Sequence, residues 1–186
     1  MTADSAPAQL IAAAPRPPTL LINCASVFEN DAIADLTQSG LDRAYRTNLS
    51  APIFLAQAFA KALPPSSRGQ IVNILDQKVW RLTPRHFSYT VTKAALWTAT
   101  QTLAQALAPR IRVNAIGPGP TLANVYQDPA TFAAEAAATP LGETVGVDEI
   151  GDALQYLLQA RSVTGQMIAV DSGQHLAWRT PDTDYG

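Results

Sequence analysis

The 186-residue chain has few of the residues that build disulfide and metal sites, with one cysteine, Cys24, and two histidines, His86 and His175. A single cysteine excludes an internal disulfide framework and any multi-cysteine metal site. The two histidines lack ligand spacing to the cysteine or to an acidic cluster, so no metal is expected. Low cysteine usage is typical of a reducing compartment, and the cytoplasm is therefore the expected location.

Clustered cations and long apolar runs are also lacking. The chain has 13 Lys and Arg against 15 Asp and Glu, a formal net charge of −2, and no run rich in Lys or Arg. Phosphate binding depends on clustered cations, so we expect neither nucleic acid nor an anionic membrane as a partner. No run reaches the roughly 18 apolar residues that span a bilayer. The N-terminus shows no charged segment followed by an apolar one, so we expect no export signal.

What the sequence has is an alternation of apolar runs and helical patterns. Apolar residues make up 47% of the chain, enough for a single core, so we expect one domain over residues 1–186. Four short apolar runs predict strands buried on both faces, at residues 19–26, 70–76, 110–119 and 166–173. Longer periodic segments predict helices at residues 39–63, 88–108 and 146–159. This alternation predicts an α/β fold with a parallel sheet.

The helix predicted at residues 88–108 carries a pair of residues that can do proton chemistry. Tyr89 and Lys93 lie one turn apart on the same face of that helix. A neighbouring ammonium lowers the pKa of a phenol, which makes the tyrosine a usable acid or base near neutral pH. The pair alone also fits a packed ring beside a solvated amine.

Five further motifs accompany this pair in a fixed order: NCAS (23–26), Asn48, Asp76, GPG (117–119) and TGQMIAVDSG (164–173). Asp76 stands 13 residues before the tyrosine of YTVTK (89–93). In this order the chain resembles the short-chain dehydrogenase/reductase family over nearly its whole length. The resemblance implies a Rossmann-like, doubly wound parallel sheet and a nicotinamide cofactor.

The resemblance also implies roles for single residues. Tyr89 would donate a proton as hydride arrives, Lys93 would hold the nicotinamide ribose and depress the pKa of the tyrosine, and Asn48 would position a water in the proton relay. The implied cofactor-binding residues are Asn23, Ala25, Ser26, Tyr89, Lys93, Pro118, Gly119 and Thr121. Two alternatives stay open: Asn23, Asn48 and Asn114 also fit bonds to backbone only, and Thr121 also fits a helix cap.

Asp76 stands where the family usually has a serine. A serine hydroxyl stabilises a ketone oxygen as charge develops on it, whereas a carboxylate repels that charge. A carboxyl group suits a ring with several N–H donors, as a pterin has. The pteridine reductase and dihydromonapterin reductase-like branch carries aspartate here, together with a serine and an aromatic residue that Ser26 and Phe28 match.

By that resemblance Phe28 would stack on the pterin ring, and Ser26 and Asp76 would bond to it. Trp80 would form part of the pocket wall. Three alternatives stay open: Phe28 as an anchor of its loop, Asp76 as a turn residue at a strand end, and Trp80 as a surface contact.

The implied function is NADPH-dependent reduction of a pteridine or folate-type ring. The alternatives are a general carbonyl or alcohol dehydrogenase, and an inactive remnant that acts only as an oligomerisation partner. No TGxxxGxG motif occurs in the 186 residues, so the resemblance implies an N-terminally truncated fold with strands equivalent to 4-5-6-7 of the family. The preference for NADP over NAD rests on the branch alone.

The family also commonly pairs its central helices, which implies a homotetramer or homodimer. Trp97, Trp178 and Tyr185 are the residues that we expect to pack between subunits.

Overall fold

A computed structural model describes residues 6–178 and residue 180, and it contains one parallel sheet. The four strands lie in the order β1-β2-β3-β4, and each pairs in parallel with its neighbour. Their bounds are Leu20–Asn23 (β1), Gly69–Ile74 (β2), Ile111–Pro118 (β3) and Met167–Val170 (β4). The predicted α/β class and the contiguous strand order are confirmed.

The strands are flanked by six α-helices among the described residues. Their bounds are Ala6–Ala12 (α1), Gln38–Ala44 (α2), Ala51–Ala62 (α3), Phe87–Leu107 (α4), Pro129–Ala137 (α5) and Val147–Gln159 (α6). The helix predicted at residues 39–63 consists of α2, a π-helical turn at Tyr45–Ser50 and α3. Within the described part of the chain, no helix is both long and apolar enough to cross a membrane.

Helix α5 is absent from the sequence prediction, although its start signals are strong. Asp128 is its N-cap and accepts a hydrogen bond from the Thr131 amide at 2.8 Å. Pro129 follows at the first helical position, where its missing N–H costs nothing. The alanine-rich segment after it has no wide apolar stripe, so periodicity alone does not reveal the helix.

Core residues lie on both faces of the sheet. Ile71 and Val113 are fully buried on the face covered by α1, α3 and α4. Val72 and Ile116 belong to a second cluster with Leu157 of α6. Alternate residues of β2 and β3 therefore face opposite helix layers, which explains why both strands read as continuous apolar runs.

The buried side-chain amide of Asn114 bonds to the backbone of the segment that leads into β4. Asn114 donates to the Val163 carbonyl at 2.9 Å and accepts from the Gln166 amide at 3.0 Å. The alternative in which Asn114 bonds only to backbone is the one that the structure supports. The residue holds the segment before β4 against β3.

Strand β1 is an edge in this chain, since among the described strands it pairs only with β2. Its apolar residues Leu20 and Ile22 are 36% and 39% exposed. An edge strand without charges offers unpaired backbone groups and apolar side chains to another copy.

We expect Ile22→Lys to reduce self-association of the 186-residue chain, because a charge on an edge strand opposes strand pairing. Sedimentation velocity of the variant and the wild type measures the change. Ile33→Lys is the matched control, since Ile33 is 73% exposed and lies outside the sheet. Equal dissociation by both variants would show that general charge, and not the edge, governs association.

Candidate functional site

Asp76 and Tyr89 meet beyond the carboxyl end of β2. The Tyr89 hydroxyl donates to Asp76 Oδ2 at 2.8 Å. Asp76 Oδ1 accepts from the Lys78 amide at 2.8 Å, because Asp76 is the N-cap of a short 3₁₀ helix at Gln77–Val79. Asp76 therefore acts as a turn residue at the strand end, and it also accepts a hydrogen bond from Tyr89.

The pKa of Tyr89 differs from the expectation. Burial, and then the charge and hydrogen bond of Asp76, raise the pKa of this phenol well above its usual value. The direction is opposite to the lowered pKa that the resemblance implies. The Lys93 ammonium lies 5.5 Å from the centroid of the tyrosine ring, whereas the carboxylate is bonded directly to the hydroxyl.

Lys93 is itself perturbed by its surroundings. Burial lowers its pKa to about 8, although the charge of Asp76 and the thiol of Cys24 oppose the shift. Its ammonium donates to the Ile74 carbonyl at 2.7 Å. That carbonyl stands at the end of β2, so the lysine reaches from α4 to the same edge of the sheet as Asp76.

Asn48 lies in the π-helical turn and is fully buried. Its side chain accepts from the Val27 amide at 2.7 Å and donates to the Val27 carbonyl at 2.9 Å. It also donates to the Thr92 hydroxyl at 3.1 Å and accepts from the Ser26 hydroxyl at 3.2 Å. Its bonds are thus not confined to backbone, and they fix the loop after β1 against α4.

In the NCAS motif the first residue is buried and the three that follow are exposed. Asn23 is buried and donates to Asn73 Oδ1 at 2.8 Å. The alternative that Asn23 bonds only to backbone therefore does not hold. Ala25 and Ser26 are exposed beyond the end of β1, on the edge of the sheet where the other site residues lie.

Phe28 stands beside Tyr89, the partner of Asp76. Its ring meets the Tyr89 ring edge-on at a centroid distance of 4.7 Å and stacks on the His86 ring at 4.2 Å. It also lines a cavity of about 360 Å³ formed mainly by the loop at residues 77–86. The loop-anchor alternative accounts for the His86 contact, and the cavity leaves part of the ring available to a ligand.

The turn after β3 shows why GPG needs its second glycine. A Cβ on Gly119 would lie 2.6 Å from the Asp171 Cα, closer than real side chains approach. Thr121 donates to the Gly119 carbonyl at 3.1 Å, so its hydroxyl closes this turn. The cap of the next helix is Asp128, which removes the helix-cap alternative for Thr121. Pro118 ends β3 itself.

Trp80 does not line the cavity beside Phe28. It is 43% exposed, and its ring meets those of Trp97 and His175 at 6.3 and 5.2 Å. Its exposure and its absence from the cavity wall favour the surface-contact alternative for Trp80. Trp178 is 64% exposed, and Tyr185 lies outside the described residues.

Two features near the site were missed by sequence reasoning. Gln77 is 3% exposed and lines the cavity, and its Oε1 has no hydrogen-bond partner within the described residues. Asp171 is buried and accepts from His175 Nδ1 at 2.7 Å. The i, i+4 spacing of this second pair was a usable signal, whereas nothing in the sequence marks Gln77. Among the described residues, no group of three or more His, Cys, Asp or Glu side chains is arranged to bind a metal ion.

Similarity to known proteins extends over most of the chain. The family model described as enoyl-(acyl carrier protein) reductase, a short-chain dehydrogenase model, matches residues 8–175. A solved structure, FolM alternative dihydrofolate reductase 1 from Brucella canis complexed with NADP, is 51% identical with a TM-score of 0.88. The match covers 90% of this chain and 67% of that chain.

Two curated relatives are 33% identical to this chain. The match to L-xylulose reductase from Caenorhabditis elegans extends over 161 residues, and the match to dihydromonapterin reductase from Klebsiella pneumoniae over 138. They cover 82% and 73% of this chain, but only 64% and 58% of the relatives. The chain thus spans less than two thirds of the length of either relative. The family model and the solved structure together show that the chain belongs to the short-chain dehydrogenase/reductase family.

Proposed function

We propose that the full native protein is an NADPH-dependent reductase of a dihydropteridine or folate-type ring. The observation that carries this proposal is Asp76, a carboxylate in the family's serine position that is bonded to the Tyr89 hydroxyl. The similarity to a dihydromonapterin reductase and to a FolM structure complexed with NADP supports it.

Lys93 is the residue that fits the cofactor best. Its ammonium has three donors, and one of them is used on the Ile74 carbonyl, which leaves two for ribose hydroxyls. Dinucleotides bind at the carboxyl ends of the strands in open α/β sheets. Pro118 ends β3, and four further candidates follow the ends of β1 and β3: Ala25, Ser26, Gly119 and Thr121. NADPH, when bound, supplies the hydride.

Tyr89 supplies the proton. Its raised pKa keeps the hydroxyl protonated at neutral pH. As hydride adds to the carbon of a ring C=N bond, the phenol gives its proton to the adjacent nitrogen, which completes a two-electron reduction. Asp76 accepts N–H donors of the ring, and its side chain is 17% exposed. It therefore offers a route by which solvent returns a proton to the tyrosine.

The substrate ring binds against Phe28 in this proposal, and Ser26 bonds to its edge. Stacking on an aromatic side chain suits a flat bicyclic ring. As in many relatives, the protein acts as a homotetramer or homodimer, with Trp97 and Trp178 as candidate contacts between subunits.

We expect Tyr89→Phe to abolish turnover in the full native protein and to leave nucleotide affinity nearly unchanged, because only the proton donor is lost. Lys93→Ala is expected to damage both. Steady-state kinetics and calorimetry with NADPH measure the two effects. Tyr156→Phe, at an exposed position on α6, is the matched control. Retention of most activity by Tyr89→Phe would contradict the assignment.

We expect Asp76→Ser to lower kcat/KM for dihydropteridines more than tenfold, equivalent to about 1.4 kcal/mol of transition-state stabilisation. Activity on simple ketones would be spared or raised, since a hydroxyl tolerates a developing oxyanion. Asp152→Ser on the exposed face of α6 is the control. Equal pterin rates for wild type and Asp76→Ser would favour a carbonyl reductase, the activity class of the L-xylulose reductases.

The pH profile tests Lys93. Because burial lowers its pKa to about 8, the ammonium is charged at neutral pH and loses its proton as the pH rises through that value. We therefore expect kcat/KM to fall on the alkaline side of about pH 8. Lys93→Arg keeps its charge at every accessible pH, so any residual activity should lose this alkaline limb. The same limb in both proteins would assign it to another group.

A further inference from the structure

The cavity beside Phe28 carries an excess of positive charge. Three cationic side chains line it, Lys78, Arg81 and Arg85, against one carboxylate, Glu135. The chain as a whole has a formal net charge of −2. The positive charge is therefore concentrated locally, next to the residues assigned to catalysis.

The two arginine charges are not neutralised by ion pairs within the described residues. Arg81 and Arg85 are exposed and form no ion pair there. Lys78 Nζ lies 3.7 Å from Asp76 Oδ1, a loose pair. Both Glu135 oxygens accept from neutral amides, those of Gln127 and Gln174. Glu135, the one carboxylate in the cavity wall, therefore bonds to these amides and not to the arginines.

The cavity adjoins the catalytic pair through a shared side chain. Phe28 lines the cavity, and its ring lies 4.7 Å from that of Tyr89. A volume of about 360 Å³ falls within the range of roughly 300–1,000 Å³ that is typical of small-molecule sites. A substituent of a ring stacked on Phe28 would extend into this space.

We propose that this cavity binds a carboxylate-bearing tail of the substrate, so that the preferred substrates are folate-type rings and not pterins with uncharged side chains. The inference rests on the proposed function and refines it. Arg81 and Arg85 bind the tail carboxylates, because guanidinium groups match carboxylates in geometry and charge.

Gln77 gives independent support for a ligand here. Its side chain is almost fully buried in the cavity wall, and its Oε1 lacks a partner within the described residues. Buried polar atoms are nearly always hydrogen-bonded. A rotation of this amide toward the cavity would pair it with the amide or amine N–H groups of such a tail.

The test compares dihydrofolate, which has a dicarboxylate tail, with dihydrobiopterin, which has the same ring and an uncharged side chain. In the full native protein, we expect the double variant Arg81→Gln, Arg85→Gln to raise KM for dihydrofolate about tenfold and to leave KM for dihydrobiopterin unchanged. Added salt should weaken dihydrofolate binding selectively. Calorimetry with folate in the presence of NADP gives a readout that is independent of turnover.

The matched control removes two other arginines. Arg68→Gln with Arg161→Gln makes the same change in charge at the opposite end of the sheet, where both line a different cavity. Equal effects of the two double variants, or equal effects on the two substrates, would overturn the inference. If the wild type reduced neither dihydrofolate nor dihydrobiopterin, the proposed function itself would be overturned. Failure of the inference and failure of the proposed function therefore give different results.

Discussion

A short series of buried hydrogen bonds holds β1, β2 and α4 in alignment at the site. Asn23 at the end of β1 bonds to Asn73 of β2, and Asn73 bonds at 2.9 Å to Thr100 of α4, which donates in turn to the Leu96 carbonyl. All of these groups are buried, so each bond replaces one that water would otherwise make. Because they join β1, β2 and α4, the carboxyl ends of the strands and the first turn of the helix keep a fixed relation.

The charges of the site follow from that alignment. Asp76 and Tyr89 are held within hydrogen-bond distance, and the buried phenol cannot ionise beside a carboxylate without loss of that bond. Lys93 is held under the ring of the tyrosine, where burial weakens its hold on a proton. The tyrosine therefore keeps its proton, and the lysine loses one more easily than usual. On an exposed helix face, the same two residues would instead favour a phenolate beside an ammonium.

Much of this arrangement could be predicted from the sequence. The four apolar runs and their alternation with helices predicted the parallel sheet. The motifs assigned Asp76 and Tyr89 to one candidate site, but the hydrogen bond between them was not predicted. The motifs did not predict that Trp80 would turn away from the cavity, since the path of the loop at residues 77–86 depends on contacts with Trp97 and His175. The direction of the Tyr89 pKa shift was not predictable either, because it depends on the burial of the phenol and on its distance from Asp76.

The π-helical turn at Tyr45–Ser50 makes the helix that contains it unusually sensitive to length. A π turn accommodates one residue more than an α-helical turn, and successive residues of an α-helix are rotated by about 100°. Loss of one residue there would let the helix continue in regular α-helical form. Either Asn48 would then rotate away from its two bonds to the Val27 backbone, or all of α3 would rotate against the sheet. Single-residue deletions, which many surface helices absorb at their ends, would here uncouple the loop after β1 from α4.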